Sequence, residues 1–154
     1  MSVTFLLAFV LTYYGAVLCS IRISSDILNQ AWPIVAAFKK QLITALLICP
    51  VAAGVIGTWA ASVRLLSYEG RGRYFVTGSK FFGIGWIAML MGNYMAVIAI
   101  FRWALPVEVG QRWMAAIGVE RFNFSMMVVA PTLGFAAGVV AVILVEAIVN
   151  AQMR

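Results

Sequence analysis

The sequence predicts an all-α fold, a single transmembrane domain over residues 1–154 arranged as a bundle of four transmembrane helices with short interfacial segments. Three observations predict it. Apolar runs fill most of the chain, at about 3–21, 41–63, 81–105 and 124–150, and a helix needs roughly 20 residues to cross a hydrocarbon layer about 30 Å thick. Hydrophobic residues make up 64% of the chain and charged residues 10%, where a soluble domain carries roughly 25% charged. The basic residues gather at the ends of the runs and between them. Their excess, net +6, therefore reads as contact with anionic lipid headgroups or acidic partner segments, and not with nucleic acid.

The first run, Val3–Ile21, lacks a basic leading segment and is longer than the apolar stretch of a signal peptide, so it is expected to be a retained span. In residues 22–40, Ser24-Ser25-Asp26 offers side-chain oxygens to cap a helix start. Ile27, Leu28, Ala31 and Trp32 then supply an apolar face, and Pro33 bends or breaks the helix beyond it. A short interfacial helix is favoured here over an extension of the second span.

The second run holds Pro50 near its middle, and the fourth holds Pro131 near its start. Proline removes a helical N–H and crowds the preceding turn, so both helices are expected to kink. Residues 64–80 form the most polar segment, with Arg64, Arg71, Arg73 and Lys80 placed to touch lipid headgroups or a partner protein. Gly70-Arg71-Gly72-Arg73 lacks the Gly-Lys-Ser/Thr sequence of a phosphate-binding loop. After Pro106, Arg112–Ile117 suits one or two interfacial turns. Trp59, Trp86, Trp103 and Trp113 are expected in the aromatic belts.

Small residues recur every fourth position in each run: Ala8/Thr12/Ala16, Ala53/Gly57/Ala61, Ala88/Gly92/Ala96 and Ala130/Gly134/Gly138. Such rows let helix backbones approach closely. They serve either packing within the monomer or contact with other copies or subunits, and the sequence leaves the two open. Two polar residues lie inside the runs. Asn93 is read first as an interhelical hydrogen-bonding residue and second as a contact for a transported solute. Glu146, about one turn before the end of the fourth run, is read as an ion-paired or snorkelling carboxylate, with ion coupling as the alternative.

Met91 and Met95, one helical turn apart, with the GxxxG of Gly134 and Gly138, are similar to elements of high-affinity copper transporters. That resemblance would imply Cu(I) passage between soft thioethers. The two motifs lie about 40 residues apart across a long linker, and adaptable packing is the expected role of both methionines.

The chain has no histidine, which removes bis-His haem, His-ligated metal and a histidine base. Cys19 and Cys49 form no Cys-x-x-Cys pair, and buried packing is expected of them. No catalytic, cofactor-binding or metal-binding set is expected. The function predicted is that of a non-catalytic integral membrane subunit of a larger assembly, of the secretion, conjugation or respiratory type. A homo-oligomeric channel or transporter for a small solute or ion is the alternative. The expected partners are the lipid bilayer, including anionic lipids, and other membrane subunits or copies of the chain. A bacterial inner membrane is the expected location. Basic groups balance between the two sides, and the dense cluster at 64–80 tips the orientation towards cytoplasmic termini.

Overall fold

A computed structural model describes residues 2–20, 25–65, 74–118 and 124–153. The described chain is almost entirely helical. Its elements are α1 (Ser2–Ser20), α2 (Ser25–Val35), a 3-10 turn (Ala36–Phe38), α3 (Lys39–Leu65), α4 (Tyr74–Ala104), α5 (Val107–Ile117), a π-helical turn (Ser125–Val129) and α6 (Ala130–Gln152). Three stretches are long and apolar enough to cross a membrane: Asn29–Ala60, Gly83–Ala104 and Ser125–Gln152. α1 is equally apolar but shorter, with Val3–Cys19 as its described apolar extent.

α1, α3, α4 and α6 alternate in direction: α1 runs antiparallel to α6 and α3, and α3 antiparallel to α4. On α1, residues four apart share one face, and Phe5, Phe9, Tyr13 and Val17 are all buried. Their rings form a ladder, with centroids 6.1 Å apart for Phe5–Phe9 and 5.9 Å for Phe9–Tyr13. Phe135 of α6 meets Phe5 edge-on at 5.7 Å.

The ladder fits because small residues face it from both sides. A Cβ at Gly138 would come within 2.7 Å of the Phe5 ring, and one at Gly134 within 3.0 Å of the Phe9 carbonyl oxygen. Gly57 of α3 lies under the Phe5 and Phe9 rings as well. Between helices that lie in lipid there is no hydrophobic drive, and close approach with its dispersion contacts is what holds such helices together. Between α3 and α4 the same device operates at Gly92, where a Cβ would meet Ile56 at 2.7 Å.

α2 leads through the 3-10 turn straight into α3, and the apolar stretch Asn29–Ala60 runs through all three. α2 contains Pro33 and ends two residues later in the 3-10 turn, and it packs on α5. α5 starts directly after Pro106 and is longer than the one or two turns expected. It is anchored by buried Trp113, stacked on Phe101 at 6.2 Å. Gly118, at φ 85°, ends it, in the positive-φ region that glycine enters without a Cβ clash.

Candidate functional site

The site is a buried polar node where α1, α4 and the start of α6 meet. It originates in a backbone defect. Pro131 has no N–H to give. The π-turn before it sends the Ala130 N–H back to Ser125 O, five residues earlier, so the α-helical donor for Met126 O is spent. The next donor in the π register would be residue 131, which is proline. Met126 O is thus left without a helical partner in the middle of an apolar bundle.

Two side chains from other helices supply the donors. The Tyr13 hydroxyl donates to Met126 O at 3.1 Å, and Asn93 Nδ2 donates to the same oxygen at 3.1 Å. Tyr13, Asn93, Met126 and Pro131 are all fully buried. Among the described residues, Asn93 Oδ1 has no hydrogen-bond partner. About two turns further along, Trp86 Nε1 donates to Thr132 Oγ1 at 3.0 Å, tying α4 to α6 a second time.

Pro50 creates a parallel defect in α3. Its missing N–H would have met Leu46 O, four residues earlier. The Tyr14 hydroxyl reaches Leu47 O at 2.9 Å and Leu46 O at 3.3 Å, so one proton is shared between the carbonyl that Pro50 deprives of its donor and the carbonyl next to it. Adjacent tyrosines of α1 therefore serve proline breaks in two different helices.

No family model matches the chain, and no curated protein or solved structure matches it. The geometry of the site is therefore the basis for any functional reading.

Most residues singled out from the sequence have a definite place. Asn93 is at the node. Ala53 and Ala130 are buried, while Ala96 is half-buried and Ala88 faces outward. Ala8, Thr12 and Ala16 are half-buried. Gly57, Gly92, Gly134 and Gly138 all face neighbours inside the chain. Glu146 is exposed in α6, within a stretch, 143–153, in which every residue is exposed. Met91 and Met95 are each 64% exposed and point away from the bundle.

Trp59 and Trp103 lie on the outside, whereas Trp86 and Trp113 turn inward to partners. Cys19 and Cys49 are free thiols, exposed and buried respectively. Arg71 and Arg73, together with the side chains of Ala61, Arg64 and Lys80, lie outside the described residues. Among the described residues, no three His, Cys, Asp or Glu side chains gather in a metal-binding group.

Sequence reasoning passed over Tyr13 and Tyr14. The signal was available: a phenol deep in an apolar run needs an acceptor, and each internal proline advertises a free carbonyl.

Proposed function

We propose that this chain is a non-catalytic integral membrane protein of four spans that acts as a subunit of a larger membrane assembly. The observation that carries this reading is the end of α6. From Ile143 to Met153 every residue is exposed, over some three helical turns. Ile143, Leu144, Val145, Ile148 and Val149, all exposed, lie within three residues of Glu146 there. A helix end whose exposed residues are mostly apolar on every side suits burial in lipid or among other helices. A carboxylate set among apolar residues at a helix end favours a basic group on a neighbouring chain over bare lipid. Use of the polar groups at the node to join helices, rather than to line a channel, also supports a structural role.

Purification in mild detergent tests the proposal. A stoichiometric membrane partner is expected, and Glu146→Lys together with Ile148→Asn should release it. A monodisperse, stable, lone monomer from native membranes would sink the proposal.

A second reading, a homo-oligomeric channel or transporter, has one supporting observation: the unpaired Asn93 Oδ1 beside a broken helix. Interrupted helices near mid-bundle are where transporters bind solutes. Loss of solute flux in liposomes on Asn93→Ala, with assembly intact, would favour it over the subunit reading.

A further inference from the structure

We propose that the node is a binding site for one internal water molecule, held between Asn93 Oδ1 and the Tyr13 hydroxyl oxygen. Asn93 is fully buried, and its Oδ1 meets no protein donor. The orientation of the amide is dictated by its neighbour. Turned over, it would set Oδ1 against the Met126 carbonyl oxygen, acceptor against acceptor, and lose the 3.1 Å bond from Nδ2. The unmet group is therefore an acceptor, and what binds it must donate.

The second acceptor belongs to the same node. Tyr13 gives its proton to the same Met126 oxygen, so its hydroxyl lies within two hydrogen-bond lengths of Asn93 Nδ2 and keeps its own lone pairs. Two neighbouring acceptors are served together by a molecule with two donor hydrogens, and buried waters typically take two to four such partners. The water closes a ring. It donates to Asn93 Oδ1 and to Tyr13 Oη, while Asn93 Nδ2–H and Tyr13 Oη–H both donate to Met126 O. A bound cation fits less well, because the one backbone carbonyl in the ring already receives two donors and no carboxylate belongs to it. The ring lies inside the bundle and does not depend on the assembly reading.

Water-edited solid-state NMR on the full chain in liposomes tests this, with labelled asparagine side chains and alanine methyls. Asn29, which is exposed, gives the wet reference, and Ala53, fully buried, gives the dry one. Transfer from water to the Asn93 side chain should approach the Asn29 rate and exceed that of the Ala53 methyl at least fivefold. Tyr13→Phe removes one of the two acceptors and should cut the Asn93 transfer at least twofold. An Asn93 rate equal to that of Ala53 in the unaltered protein would overturn the proposal, and so would transfer unchanged by Tyr13→Phe. If Tyr13→Phe does not fold, the comparison of Asn93 with Ala53 decides alone.

Discussion

Pro50 in α3 and Pro131 in α6 are both fully buried, and each deprives its helix of an N–H, yet the two helices answer differently. α3 stays α-helical through its proline. Leu46 O, which loses its donor, and its neighbour Leu47 O lie toward the outside of the bundle, and one tyrosine hydroxyl divides itself between them. α6 widens into a π-turn just before its proline, and the stranded carbonyl, Met126 O, takes two donors from two other helices. The difference teaches what depth demands. Near the surface a single shared proton is enough. In the centre the unsatisfied carbonyl would cost several kcal/mol in an apolar medium, as any bare backbone group does there, and the fold commits a tyrosine and an asparagine to it.

The largest expected effect comes from the glycines that bring α1 up to each break. Gly134 follows Pro131 and faces the Phe9 carbonyl oxygen at 3.0 Å from an added Cβ, and Gly138 faces the Phe5 ring at 2.7 Å. The first obstacle is backbone, and the second is a ring locked in the aromatic ladder. Gly54 follows Pro50, and an added Cβ there meets the tip of Leu6 at 2.7 Å, a methyl on a flexible side chain that can turn aside. Gly134→Ala with Gly138→Ala should therefore cost about 2–6 kcal/mol together, at roughly 1–3 for each overpacked site. Gly54→Ala should cost less than about 1 kcal/mol by the same reasoning. Reversible unfolding in mixed micelles measures both. Equal costs at the two breaks would remove the claim that α1 is held more rigidly against α6 than against α3.

The next effect concerns the shared acceptor. With Tyr13→Phe, Asn93 still serves Met126 O; with Asn93→Ala, Tyr13 still does. Each single change should cost about 0.5–1.5 kcal/mol in lost hydrogen bonding, on top of a cavity cost for the alanine. The double change leaves the carbonyl bare, so it should cost at least about 1 kcal/mol more than the sum of the two. Additive values in the double-mutant cycle would mean that the two side chains do not share one acceptor. Pro131→Ala makes the same point from the other side. A restored N–H at residue 131 can reach Met126 O in the π register, so Tyr13→Phe in that background should lose at least half its cost.

How much of this was legible in the sequence depends on where each signal is written. Run lengths and composition told of apolar helices, because 3.6-residue geometry and bilayer thickness are local constraints. Glycine and alanine spacing marked the faces at Gly57, Gly92, Gly134 and Gly138, but not which partner fills them. The spacing of a row is a property of one helix, and the Phe5, Phe9 ladder that occupies two of these rows belongs to another. Asn93 was legible as a residue in need of a bond, yet its acceptor was not. Met126 O becomes available only because a π-turn shifts the Ala130 N–H by one residue, and no side-chain pattern announces that shift. The inward turn of Trp86 was hidden for a similar reason: its Thr132 partner lies on a helix whose rotation is set by the contacts at Gly134 and Gly138.

The smallest effect sharpens the comparison most cleanly, because it isolates the outer break. Tyr14→Phe removes one shared proton from Leu46 O and Leu47 O and leaves the ring packing in place. The expected cost is about 0.5–1 kcal/mol, in the range measured for hydrogen bonds between membrane helices. Pro50→Ala restores the N–H to Leu46 O, and the tyrosine hydroxyl is then no longer needed there. Tyr14→Phe in the Pro50→Ala background should accordingly cost less than about 0.3 kcal/mol. The same pair of backgrounds should leave the cost of Tyr13→Phe unaltered, since Tyr13 answers to Pro131 and not to Pro50. Unfolding measurements on the five variants separate the cases. If Tyr14→Phe costs the same with and without Pro50, the hydroxyl is a helix-to-helix contact with no bearing on the proline. The two breaks would then differ in kind, and not only in depth.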